Sequence, residues 1–241
     1  MQPTVQPSLQ VFYKNQYSPS TEAWRKLGAK GKAQNIIRIT QGFTWYKVLE
    51  VGAGDGSVLQ ALASQNFAQQ YYALEISESG LAQIQAKNIP HLQEAQLFDG
   101  YHIPYPDHFF DLVILTHVLE HVEHERLLLR EIKRVSKHQV IEVPRDYRYG
   151  VEKKINHFLS YGHINLYTPS LLKFLLLTEN FQILREQWGV YEQKVFTFYA
   201  KNIWQKWKGN IVFWVKKTLS SIPYKPLQAR FINTITVFCQ S

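Results

Sequence analysis

The stretch YKVLEVGAGDGSVLQAL, residues 46–62, runs apolar, breaks into three glycines within five positions, and turns apolar again. KVLEV at 47–51 has the composition of a buried strand, and the segment 57–66 that follows the glycines has helical spacing. A glycine turn between a buried strand and a helix sits where an α/β sheet binds ligands, at the carboxyl ends of its strands. Gly52 and Gly54 can take dihedrals closed to other residues, and without side chains they let a ligand lie against the backbone. The helix opening near Ser57 turns unsatisfied amides toward that ligand.

Around this turn, short apolar runs alternate with helical patterns. Candidate strands are YYALEI at 71–76, AQLFD at 95–99, DLVILT at 111–116 and QVIEV at 139–143. Helical patterns cover 79–87 and 123–135, the second with apolar residues at 127, 128, 132 and 135 and charges opposite. That alternation predicts an α/β, doubly wound, mostly parallel sheet with helices on both faces. Asp111 reads as a structural residue at a strand start.

The spacing of the turn narrows the ligand. A dinucleotide-binding turn reads GxGxxG, whereas here it is GxGxG, with Glu50 before it and Glu75 ending the second strand, where an acid can accept both hydroxyls of a ribose. LEVGAGDGSVLQAL, ALEISESGL and FDGYHIPYPDHFFDLVILTHVLEHVEHERLLLREIKRV, in that order over about residues 45–145, resemble the class I S-adenosylmethionine-dependent methyltransferases, in particular their type 11 branch, which includes quinone-biosynthesis enzymes.

The resemblance implies a Rossmann-like methyltransferase fold, a seven-stranded sheet with an antiparallel last strand, and S-adenosyl-L-methionine as methyl donor, leaving as S-adenosyl-L-homocysteine. Carried over residue by residue, it puts Gly52, Ala53, Gly54 and Gly56 under the methionine and ribose, and Glu50 near the methionine ammonium. Glu75, with Ile76 beside it, would hold the ribose hydroxyls. Asp99 and Gly100 would flank the adenine, while Thr116 and His117 would line the floor near the sulfonium. Asp99 also has a reading without a ligand, because Asp-Gly pairs favour turns.

His117, His121 and His124 stand at i, i+4 and i+7, which on a helix is one face, with Glu120 and Glu123 nearby. The resemblance explains the segment as the one that follows the fourth strand, so no metal is expected. Methyl transfer needs a base only where the acceptor must lose a proton, and histidine suits that near neutral pH. The stretch after Pro144, up to about residue 168, is too long for a simple loop, and the resemblance makes it a cap over the acceptor. It carries Arg145, Asp146, Tyr147, His157, Tyr161, His163 and Tyr167. His163, His157 and His117 are the candidate catalytic residues. Thr168 followed by Pro169 reads as a helix cap and first turn, which His163 could equally brace.

The bulk composition fits this outline. A chain of 241 residues can bury one substantial core, and its single cysteine, Cys239, excludes internal disulfides and multi-cysteine metal sites. The start of the chain has no secretory pattern and no run approaches a membrane span, so a cytoplasmic protein is expected. Net charge is +8, and from Lys201 onward there are six Lys, one Arg and no acid.

In KNIWQKWKGNIVFWVKKTLSS, apolar residues recur at helical spacing among lysines. The expectation is an aromatic stripe packed on the sheet or on another subunit, as in a homodimer. Contact with the inner membrane face through 203–219 is the competing reading. FINTITVFCQ reads as the last strand, with KVFTFYA at 194–200 as the other candidate. Residues 1–45 are expected to form a lid or helical segment, with Tyr13, Tyr17 and Trp24 over the cofactor, and 46–241 the methyltransferase domain. The expected reaction moves a methyl group to an oxygen of a small-molecule, saccharide or lipid-linked acceptor. RNA methylation and a non-catalytic scaffold are the alternatives, with nucleic acid the less favoured partner.

Overall fold

The computed structural model describes residues 22–146, 151, 158 and 162–241. Among the described residues, α1 (Glu22–Ile39) leads into β1 (Trp45–Val51), α2 (Ser57–Ala63), β2 (Ala68–Glu75), α3 (Glu78–Ala86) and β3 (Leu92–Leu97). Then come β4 (Phe110–Thr116), α4 (Glu125–Val135), β5 (Ser136–Pro144), α5 (Pro169–Thr178) and β6 (Gln182–Gly189). The chain ends with α6 (Gln193–Thr197), α7 (Ile203–Ser220), α8 (Lys225–Phe231) and β7 (Thr234–Gln240).

The strands form one seven-stranded sheet in the order β3-β2-β1-β4-β5-β7-β6. All neighbours are parallel except β7, which runs antiparallel to both β5 and β6. This is the expected sheet, and FINTITVFCQ supplies its antiparallel strand; 194–200 instead begins as the short helix α6. The other candidate lost because β7 can be buried on both faces. Its residues Thr234 to Cys239 are all buried, as a strand between two neighbours requires.

Each face of the sheet carries its own core. On one side Ala29, Ala33, Ile36 and Ile39 of α1 pack with Leu59 and Leu62 of α2 and Ile84 of α3. On the other, Leu128, Leu129 and Ile132 of α4 join Leu172, Leu175 and Leu176 of α5. The small residues on the buried face of α1 let it lie close to the sheet, so residues 22–39 belong to the core as well as standing over the strand ends. Thr168 caps α5 by accepting from the Leu171 amide, with Pro169 in its first turn. Asp111 accepts from the amides of Tyr46 and Lys47 at 3.0 and 2.7 Å, tying β4 to the start of β1.

Candidate active site

The three glycines follow β1 and all have positive φ: 68° at Gly52, 61° at Gly54 and 74° at Gly56. At Gly52 a Cβ would also come within 2.6 Å of Val118 Cγ2, so the residue is fixed by conformation and by space. The amides of Gly52 and Ala53 donate to the Leu74 carbonyl, which pins the turn to the end of β2. Glu75 closes it from the other side: its carboxylate accepts from Gly54 N at 2.8 Å and Ser77 N at 3.0 Å. A carboxylate has about four lone-pair sites, so these two bonds leave Glu75 capacity for hydroxyl donors. Burial raises the Glu75 pKa, and the backbone amides of Gly54 and Ser77 oppose it.

Asp55, within the turn, was given no role by the sequence. It is buried and accepts from Ser57 N, at the start of α2, at 3.1 Å, while Arg25 of α1 and Lys87 reach its other oxygen at 2.9 and 3.2 Å. Burial acts to raise its pKa, and Arg25, Ser57 and Lys87 outweigh it, holding the carboxyl below its usual range. Arg25 therefore fixes the N-terminal helix to the glycine turn.

A cavity of about 1020 Å³ opens beside the turn. Glu50, Gly52, Ala53, Gly54, Thr116 and His117 line it, together with Glu142 of β5, Asp146 just past it, His163 and Trp24 of α1. Gly56, Glu75, Ile76, Asp99 and Gly100 are outside this lining. The Phe98 amide donates to the Glu75 carbonyl at 3.1 Å, so the Asp99 turn stands next to the end of β2. Asp99 is exposed, and its Oδ1 accepts from the amides of Tyr101 and His102 at 2.8 and 2.6 Å, the bonds of a turn. Trp24 packs on Phe198 and Tyr199, with ring centroids 5.2 Å away in each case. Tyr13, Tyr17 and His157 lie outside the described residues, as do Tyr147 and Tyr161.

The floor of the cavity is a row of buried acids at strand ends. Glu50 is 1% exposed; Thr116 Oγ1 lies 3.4 Å from its Oε1, and its Oε2 has no hydrogen-bond partner. Burial pushes its pKa from 4.5 up to about 8. Two strands away in the sheet, Glu142 accepts at Oε2 from Asn35 of α1 and Thr236 of β7, at 2.8 and 2.7 Å. Burial acts to raise the Glu142 pKa, but the His117 ring, Thr236 and the Lys32 charge together hold it low. Glu142 was overlooked in the sequence, although a lone acid inside the apolar run QVIEV is the same signal that marks Glu50 in KVLEV.

The three histidines do not share a helical face. His117 has φ of 56°, and the segment after it forms only a single 3-10 turn at Leu119–His121, so the i, i+4, i+7 pattern has no α-helix to act on. His117 instead bridges two acids, with Nε2 3.4 Å from Glu142 Oε1 and Nδ1 3.6 Å from Glu120 Oε1. His124 packs near Tyr101, away from the others. His121 joins His163, their ring centroids 4.8 Å apart, and its Nδ1 lies 3.0 Å from the Gly162 carbonyl.

His163 also contacts Asp146, Nδ1 to Oδ2 at 2.6 Å. With Nδ1–H donating to that carboxylate, the tautomer is the one that leaves the lone pair on Nε2. Among the described residues, Glu120, His121 and His163 offer ligand-capable atoms within 4.8 Å of one another, a different trio from the one the spacing suggested. Asp146 was legible only as one polar residue among several in the connection.

A family profile described as a methyltransferase domain matches residues 49–141. The ubiquinone/menaquinone biosynthesis C-methyltransferase UbiE of Cupriavidus pinatubonensis is 33% identical over 97 residues, 38% of this chain and 39% of that protein. The aligned part thus spans well under half the length of that relative. By structure, a SAM-dependent methyltransferase of Archaeoglobus fulgidus superimposes with a TM-score of 0.61 at 18% identity, covering 94% of this chain and 100% of that one. Phosphoethanolamine N-methyltransferase 2 of Haemonchus contortus, solved with S-adenosyl-L-methionine, gives 0.68 at 14% identity over 99% of this chain and 61% of that one. Residues 49–141 thus match a methyltransferase-domain profile, on the Rossmann-like methyltransferase fold that both solved structures share with this chain.

Proposed function

We propose that this chain is an S-adenosylmethionine-dependent methyltransferase that deprotonates a hydroxyl-bearing small or lipid-linked acceptor through His163 and methylates its oxygen. The observation that carries the reading is one cavity holding the glycine turn, a buried Glu50 with an unpartnered oxygen, and the Asp146–His163 pair. The residues fit the donor: a buried carboxylate with an orphaned acceptor is costly unless a cation completes it, and an ammonium group would. Glu75, at the end of the neighbouring strand, would take ribose hydroxyls with the lone pairs its amide bonds leave over.

When bound, the donor supplies an electrophilic methyl on a sulfonium. The chain's own residues do the rest. The glycine turn lets the donor lie on the backbone, Asp146 holds the His163 tautomer, and His163 Nε2 accepts the proton of the acceptor hydroxyl as the new carbon–oxygen bond forms. His117, between Glu120 and Glu142, orients the floor. The UbiE relative favours a second reading, in which the same deprotonation activates a ring carbon beside the hydroxyl and the methyl goes to carbon.

Calorimetry tests the donor site directly. S-adenosylmethionine and S-adenosylhomocysteine should bind the chain, and Glu75→Ala should weaken both by about tenfold or more, from the loss of two charge-assisted bonds. Absence of heat with either compound would refute the reading. Acceptors with phenolic, saccharide or lipid-linked hydroxyls are then turned over with labelled donor, and NMR of the product separates oxygen from carbon methylation.

A further inference from the structure

Helix α7 is 18 residues long and has no buried residue, although it is rich in large apolar side chains. Trp204, Trp207 and Trp214 are 76%, 62% and 59% exposed, and Ile203 is 73% exposed. The expected packing of this stripe on the sheet is not what the structure shows. The helix rests on α6 and α8 by its other side: a Cβ at Gly209 would collide with the Phe196 carbonyl, Phe213 packs on Phe196, and Asn210 accepts from Gln193 at 2.9 Å.

At about 100° per residue, Ile203, Trp204, Trp207, Ile211, Trp214 and Val215 fall within roughly a third of the circumference, facing away from the protein. Lys206 and Lys217 flank this stripe on one side and Lys208 on the other. No acid occurs from Lys201 to the last residue, whereas six Lys and one Arg do. Among the described residues no helix is long and apolar enough to cross a membrane.

We propose that α7 lies in the surface of an anionic lipid bilayer, with its tryptophan stripe sunk among the acyl boundaries and its lysines at the headgroups. Two features select this occupant over a second protein. The lysines border the apolar stripe on both sides, so their stems can run along it while the ammonium groups reach phosphates. Each tryptophan also presents an apolar body with one N–H, which suits a boundary that is wet on one side and oily on the other. An uncompensated cationic face would repel a second copy of itself.

The inference goes beyond the methyltransferase reading and does not rest on it. It does bear on the acceptor. Phe213, Lys217, Ser220 and Ser221 of the same helical segment line the cavity that holds Glu50 and His163. A lipid-linked acceptor would therefore enter the cavity from the surface on which α7 lies.

The test is vesicle co-sedimentation of the full chain. It should pellet with phosphatidylcholine vesicles containing phosphatidylglycerol, bind pure phosphatidylcholine more weakly, and lose affinity as salt is raised to about 1 M. Brominated lipid should quench its tryptophan emission. The triple variant Trp204→Ala/Trp207→Ala/Trp214→Ala, which removes no buried side chain, should fold as judged by circular dichroism and partition at least about tenfold more weakly. Lys206→Glu/Lys208→Glu tests the same surface without touching the stripe and should lose the preference for anionic lipid. A chain that stays in the supernatant, or a triple variant that pellets like the parent, overturns the proposal. So does a lipid-free dimer, seen by sedimentation equilibrium, that the triple variant dissolves.

Discussion

The two halves of the cavity are built from different materials. On the β1–β2 side the site is backbone: a turn of three glycines at positive φ, amides on the Leu74 carbonyl, Glu50 in the lining and Glu75 bracing the turn from outside it. On the β5 side it is side chains, most of them on irregular chain: Glu142 near the end of β5, Asp146 just past it, His117 after β4 and His163 before α5. Backbone sites depend on chain conformation and so bind what many relatives bind. Side-chain sites on loops can be replaced one residue at a time, which suits a pocket for an individual acceptor.

If that division holds, substitutions on the two sides should separate chemistry from donor binding. His163→Ala should carry the largest effect, a fall in kcat of about 10²- to 10⁴-fold, with donor affinity measured by calorimetry unchanged. Asp146→Asn should lower kcat less and be partly rescued at higher pH. Loss of donor binding in His163→Ala would break the division, because the histidine would then belong to the donor half.

Gly52→Ala probes the other half. The new Cβ meets Val118 Cγ2 at 2.6 Å on a backbone with φ of 68°, so thermal denaturation should show a loss of about 2–4 kcal/mol and calorimetry little or no donor binding. Gly28→Ala, inside α1 where a Cβ would meet nothing within 4 Å, is the contrast and should raise stability by about 0.5–1 kcal/mol.

Glu50→Gln should act in opposite directions on stability and binding. Burial raises the Glu50 pKa from 4.5 to about 8, so the folded state holds its proton more tightly than the unfolded chain does. Stability is therefore fully present below pH 4.5 and is lost as pH rises toward 8. In the donor-free chain, Glu50→Gln should remove that slope and raise stability by a few kcal/mol near the upper end, while weakening donor binding. A flat stability profile in the parent chain would show that Glu50 already has a cationic partner.

What the sequence revealed follows the same division. The strands and the glycine turn were legible because each rests on a local rule: apolar runs, Gly where φ is positive, an acid at a strand end; the antiparallel direction of β7 came with the family resemblance instead. Asp146 and His163 meet across 17 residues of connection and Asp55 meets Arg25 across 30, and no periodicity records such pairings. The spacing of His117, His121 and His124 misled because it presupposes an α-helix, and the left-handed backbone at His117 prevents one from starting there. On α7 the spacing was right and its environment was not. An amphipathic stripe records that a helix has an apolar face, not what covers it.

The smallest effect is expected at the outer clamp behind the acceptor side. Glu179, just past α5, accepts from Arg126 and Arg130 of α4 at 2.6 and 2.8 Å, its side chain 7% exposed against 41% and 61% for the arginines. Hydrogen bonds from Arg130 and Arg126 hold its carboxyl below the usual range. A depressed folded pKa contributes stability that is present above the ordinary carboxylate value and lost as pH falls through the lowered one. Because solvent screens the exposed guanidiniums, Glu179→Gln should cost no more than about 1 kcal/mol at neutral pH and nothing in acid. Since α5 follows His163 directly, the variant also asks how rigid the side-chain half must be. A thermal shift without change in kcat would place that rigidity in the cap around Thr168, whereas a fall in kcat would extend the acceptor site to the clamp that anchors α5 on α4.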